Sequence, residues 1–145
     1  MIIVPMFSER AMLAKVLNRE PQEDLILRLY RNDWRPSRTD TAGKYTEPGF
    51  AGYAGLRVLG SEWNFEVGEI TTAIHDDVTF KCGKHQEPEP VFGYYMTGSD
   101  SGALYWVERF DDGPYVVRNA GDKINVCLRV SLTQPPYLGR TLTGR

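Results

Sequence analysis

Cysteine and histidine are scarce in this 145-residue chain, which carries two of each: Cys82, Cys127, His75 and His85. Two cysteines are too few for the disulfide framework of a small secreted scaffold. Two histidines give little material for a nucleophile–base pair or a closed metal site. Long hydrophobic runs are missing as well, since no stretch approaches the ~20 apolar residues of a membrane span. The opening MIIVPMFSER has no basic n-region, and its apolar run is broken by Pro5 and by Glu9-Arg10. It does not read as a secretory signal, so synthesis in a cytosol is expected. Nor is there a surplus of one charge. With 17 basic against 19 acidic residues the net charge is −2, which supplies no global attraction to nucleic acid or to an anionic membrane.

Helical periodicity is nearly absent too. It is found once, over Glu9 to Asn18, where Met12, Leu13, Val16 and Leu17 fall on one side, Ser8 stands as the cap and Pro21 closes the segment. From there the period becomes two. In DLILRLYRNDW, Leu25, Leu27 and Leu29 alternate with Ile26, Arg28 and Tyr30, and a turn-rich loop follows from Arg35 to about Gly52. Short strand candidates then come in quick succession: YAGLRVL, EWNFEVG, EITTAI, DVTFKCG, PVFGYYM, ALYWVERF, PYVVR and DKINVCLRVSLT. Trp63, Phe65 and Val67 share one parity, as do Val78, Phe80 and Cys82, and likewise Ile124, Val126, Leu128, Val130 and Leu132.

Many short strands separated by Gly, Pro, Asp and Asn, with no crossover helices, predict an all-β fold. The expected form is an antiparallel β-sandwich or jelly roll with one short N-terminal helix and extended terminal arms. The organisation expected is an N-terminal arm and helix over residues 1–22, a β-sandwich domain over 23–133 and a C-terminal arm over 134–145.

A search for chemistry assigns no catalytic, cofactor-binding or metal-binding residue. No GxSxG or other nucleophile motif is present. Cys82 and His85 have a C-x-x-H spacing but no second pair, and Cys82 continues the inward parity of Val78 and Phe80 as a small hydrophobe. Cys127 falls on the outward parity, so two free thiols are expected. Asp76-Asp77 and Asp111-Asp112-Gly113 read first as turn chemistry. Thr97 to Gly102, between two alternating stretches, supplies a hairpin turn and lacks the acidic alternation and distal Glu of a calcium loop. A hydrolase built on these carboxylates is the weakest reading.

One basic-aromatic cluster stands out: Arg31, Trp34, Arg35 and Arg38. Trp and Arg are enriched at protein interfaces, and with no net positive charge a protein partner is expected rather than nucleic acid. Apolar residues also lie outside the strands. Ile3, Met6, Phe7, Met12, Leu13 and Leu17 near the start, with Tyr137 and Leu138 in the tail, are the other interface candidates.

The stretch GYYMTGSDSGALYWVERF followed by DDGPYVV resembles a recurrent segment of small virion proteins of tailed bacteriophages, in which a GYYVT-like strand, a short turn and an LLWAERF-like strand run into a Gly-Pro. LNREPQEDLILRLYRNDWRP and TEPGFAGYAGLRV are similar to their flanking regions, so the likeness covers most of residues 12–133. The charged GKHQEPEPV loop and the PPYLGRTLTGR tail depart from the pattern. The resemblance implies a capsid cement or decoration protein without enzymatic activity or cofactor. Such a protein is made in the host bacterial cytoplasm and placed on the outer capsid surface of the virion. Its implied partners are the major capsid protein and further copies of itself, a dimer first and a trimer second, with no nucleic acid and no membrane. The alternative is a tail, baseplate or fibre component that recognises the host, for which Tyr45, Phe50 and Tyr53 are the candidate glycan-facing aromatics.

Overall fold

The computed structural model describes residues 1–132. The expected C-terminal arm, with Tyr137 and Leu138, lies outside the described residues. Strands β1 (Ile2–Ile3), β2 (Leu25–Tyr30), β3 (Leu56–Val58), β8 (Gly93–Gly98) and β9 (Leu104–Arg109) form one five-stranded sheet, ordered β1-β9-β8-β2-β3. Strands β4 (Trp63–Glu66), β5 (Thr71–His75) and β12 (Arg129–Leu132) form a three-stranded sheet, ordered β12-β5-β4. Two-stranded ribbons pair β6 (Val78–Lys81) with β11 (Lys123–Val126), and β7 (Glu89–Val91) with β10 (Tyr115–Val117). Every pairing is antiparallel. The fold is thus mostly strands in antiparallel sheets with one helix.

The main core joins the sheets. Leu27, Leu29, Tyr94, Met96 and Trp106 of the five-stranded sheet meet Phe80, Val91, Val117, Ile124 and Val126 of the ribbons in a single cluster. A second, smaller cluster gathers Tyr30 and Tyr95, of opposite parity on β2 and β8, with Tyr45 and with Leu104 and Val107 of β9. The central strands are therefore buried on both faces, and all six residues of β8 are buried. Arg28, in the middle of β2, is accommodated by donating to Thr97 Oγ1 at 3.0 Å and to Glu47 at 3.1 and 3.2 Å.

Several expectations need correction. The stretch PVFGYYM forms two strands, β7 and β8, broken at Phe92, and DKINVCLRVSLT forms β11 and β12, broken at Cys127-Leu128. Within the N-terminal arm Ile2 and Ile3 pair with Glu108 and Val107 on the edge of β9, and Ile3 packs on the second cluster. The helix, α1, spans Met6–Val16, starting three residues before the expected position. Pro5 has an extended ψ of 152° at the N-cap, and the Met6 N–H, which has no partner within the helix, donates to the Arg38 carbonyl at 3.0 Å. Ser8 is not the cap. It lies inside α1, buried, and its hydroxyl donates to the Leu104 carbonyl, so a small polar residue seats the helix on β9. Asn18 takes the left-handed φ of 57° just beyond the helix, a conformation asparagine tolerates better than most residues.

Candidate interaction surfaces

The Arg31–Glu47 segment leaves β2 and covers Tyr30 and Tyr95, with Tyr45 stacked on Tyr95 at 5.2 Å between ring centroids. Its organising group is Asp40, whose carboxylate is buried. One oxygen, Oδ2, accepts from the Trp34 indole N–H at 2.9 Å, from the Ser37 backbone N–H at 2.9 Å and from the Tyr45 hydroxyl at 2.7 Å. Burial by itself would raise this carboxyl; donation by Tyr45, Trp34 and Ser37, with the nearby Lys44 charge, overcomes it and holds the group below its ordinary range. For Tyr45 burial and the hydrogen bond to Asp40 both push the hydroxyl far up, and Tyr95, buried beside it, is raised to about 12.

Trp34 is fixed from three sides. Asp40 holds its indole, Arg109 donates to its carbonyl at 3.1 Å, and Lys44 Nζ sits 5.3 Å from the ring centroid. Arg109 also pairs with Asp33 at 2.7 Å and Arg38 pairs with Glu9 at 2.6 Å. Arg31 and Arg35 are exposed and, like Lys44, have no ion-pair partner among the described residues. The four sequence candidates of this loop thus separate: Arg38 is engaged with α1, whereas Arg31 and Arg35 are free beside a braced Trp34. The bracing by Asp40 and Arg109 was not visible in the sequence, where Asp40 read as one more turn residue.

Of the N-terminal candidates, Met12 is partly buried against the main core and Ile3 against the second cluster. Met6, Phe7, Leu13, Val16 and Leu17 are exposed. The apolar side of the helix is therefore mostly the outward one. Ser8, Ala11, Met12 and Lys15 take the inner face instead, with Lys15 Nζ 5.8 Å from the Tyr105 ring centroid. Met6, Leu13 and Leu17, spaced by seven and four, form one outward stripe. Most charges beside it have partners within the chain, Glu9 with Arg38 and Arg10 with Glu20 at 3.3 Å, while Arg19 has no ion-pair partner among the described residues.

The expected hairpin between β8 and β9 is present with a bulge after Met96, but Thr97 and Gly98 still belong to β8 and the turn begins at Ser99. Glu23 pins it by accepting from the Ser101 hydroxyl at 2.8 Å and its backbone N–H at 3.4 Å. Tyr45, Phe50 and Tyr53 do not make an exposed aromatic platform. Tyr45 and Phe50 are buried, and the Tyr53 hydroxyl accepts from the Leu29 N–H and donates to Glu47 at 2.6 Å, stitching the loop to β2. Their aromatic surface closes the core.

The side chain of His75, at the end of β5, is largely covered and contacts Trp63 edge-on at 5.4 Å. Its Nε2 lies 2.7 Å from Glu62 Oε2 and its Nδ1 lies 2.6 Å from the Asp76 carbonyl. Both partners are acceptors, so only the protonated ring donates to both. Burial pulls its pKa down, but these acceptors outweigh it and the net shift is upward. His85 instead meets Asn119 at 3.0 Å, Cys82 is buried and Cys127 exposed. Among the described residues no three His, Cys, Asp or Glu side chains converge as metal ligands, and no helix is long and apolar enough to cross a membrane. Comparison with family models, curated proteins and solved structures gave no match to this chain.

Proposed function

We propose that this chain is a capsid cement protein. It binds the outside of a tailed-phage head as a homo-oligomer and ties neighbouring major capsid protein subunits together. The observation that supports a docking role is the outward stripe of α1: Leu13 is 63% and Leu17 69% exposed on a helix whose neighbouring Glu9, Arg10 and Glu20 are already paired within the chain. Covering such a stripe removes apolar surface from water without stranding those three charges. The likeness of the GYYMTGSDSGALYWVERF segment to phage virion proteins supports the setting, and the joining of several antiparallel sheets in one core supports the finer reading as a β-sandwich. A cement protein works by avidity, each copy making several weak contacts at once, and a twofold oligomer is the simplest arrangement.

Cryo-electron microscopy of purified particles and of tail-less heads tests the proposal. The protein is expected on both, and the double substitution Leu13→Asp with Leu17→Asp is expected to remove it from heads while leaving thermal unfolding unchanged. Heads that lack the wild-type protein altogether would overturn the reading in favour of a tail location.

A further inference from the structure

We propose that the loop carrying Trp34 is a preformed platform for an acidic polypeptide segment of a partner. This deepens the docking role by naming the chemistry of one contact, and rests on the cement reading only for the partner's identity. Three features carry it. The first is charge. On this loop Asp33 is paired with Arg109, Arg38 is paired with Glu9 and Lys44 lies near the buried Asp40, which leaves Arg31 and Arg35 without an acidic partner among the described residues in a protein of net charge −2. The second is preorganisation. Trp34 is 37% exposed although its indole N–H and its carbonyl are both held, so a ligand meets an aromatic surface whose ordering cost is already met within the fold. The third is shape. Beside Trp34 a cleft of about 420 Å³ is lined by Arg35 and Arg109 over apolar Ile3, Pro36 and Phe110.

The free Arg35 guanidinium beside an apolar floor suits a carboxylate side chain with its aliphatic stem, which Arg can grip with two parallel hydrogen bonds. Asp111, also lining the cleft, is an acid there without an ion-pair partner among the described residues and offsets Arg35, so the excess positive charge that favours an anion is that of Arg31 on the same loop. A nucleic-acid strand fits less well. It needs a basic track and free ring faces for successive bases, whereas Lys44 already lies over the Trp34 ring.

Fluorescence anisotropy of a fluorescein-labelled octaglutamate peptide, titrated with the full chain, tests the assignment. Binding is expected to weaken as salt rises, because exposed charge contacts are screened. The triple substitution Arg31→Ala, Arg35→Ala, Lys44→Ala should weaken it at least tenfold with unchanged thermal unfolding. Asp111→Asn should strengthen it about twofold, and Arg129→Ala, on the three-stranded sheet, should leave it unchanged. Absence of peptide binding, binding indifferent to the triple substitution, or tighter binding of a single-stranded oligodeoxynucleotide of equal charge would each overturn the inference. Head retention is a separate readout: a protein that binds the peptide but is missing from heads loses the cement reading and keeps the platform.

Discussion

In the β8–β9 hairpin every residue of the first strand is buried, whereas the β4–β5 hairpin leaves Phe65 69% and Val67 84% exposed. Both hairpins carry the same apolar alternation. The difference lies in what covers them. β8 runs between β9 and β2 with a core on each face, while β4 is the edge strand of a smaller sheet. At the base of that sheet Trp63 packs against Trp106 and His75, which ties the sheet to the core. Two residues further along, Phe65 has the same parity and no such cover. Period two tells which side chains share a face; whether another layer lies over that face is decided by distant parts of the chain.

The largest effect is expected at Gly93 in β8. A Cβ there would overlap the Glu108 carbonyl oxygen and stand 2.6 Å from Tyr30 Cε1, and neither neighbour can move without disturbing the sheet. Gly93→Ala is expected to cost more than about 4 kcal/mol, in the exceptional tail of point substitutions, read from the urea midpoint. Met96 is fully buried on the same strand, so Met96→Ala should cost about 3 kcal/mol through lost transfer energy and a cavity. A loss below about 1 kcal/mol there would show that the core relaxes around the gap and would blur the contrast between the hairpins.

Asp40 secures the loop that covers the second cluster. Asp40→Asn keeps one acceptor oxygen but loses the charge that three donors stabilise, an expected cost of about 1–3 kcal/mol. Because the folded pKa lies below its ordinary 3.8, the carboxylate contributes stability above that value, and the contribution is lost as pH falls through the folded value. The wild type should therefore lose stability in acid more steeply than Asp40→Asn. His75 on β5 has the opposite sign. Its pKa is raised above 6.5, so its contribution is complete below 6.5 and disappears as pH rises through the folded value. Thermal unfolding between pH 6 and pH 9 should show a decline that His75→Asn flattens, smaller than the Asp40 effect because Glu62 is exposed.

The hairpin around Thr97–Gly102, the strands and the outward Cys127 were legible in the sequence because each depends on local alternation and turn chemistry. The helix boundary was not. Ser8 has the chemistry of a cap, but the Arg38 carbonyl, 30 residues away, takes the Met6 N–H and moves the start upstream. Arg31, Trp34 and Arg35 were legible as a composition, while the engagement of Arg38 by Glu9 and the bracing of Trp34 by Asp40 are tertiary facts. Leu13 and Leu17 are exposed as Phe65 is: a helical apolar face, like an alternating strand, records that a surface wants cover without saying which chain provides it.

Phe65 gives the smallest expected effect and the sharpest test of that statement. Its row across the three-stranded sheet runs through Ala73 to Val130, and neither neighbour is large enough to shield the ring. Phe65→Ala in the isolated chain should change unfolding stability by no more than about 0.5 kcal/mol, as for other surface positions. A loss near that of Met96→Ala would mean that the ring is covered in solution. The comparison should then be repeated across protein concentrations. Dependence on concentration would assign the cover to a second copy of the chain. A constant loss would assign it to the same copy, and the contrast between the two hairpins would disappear.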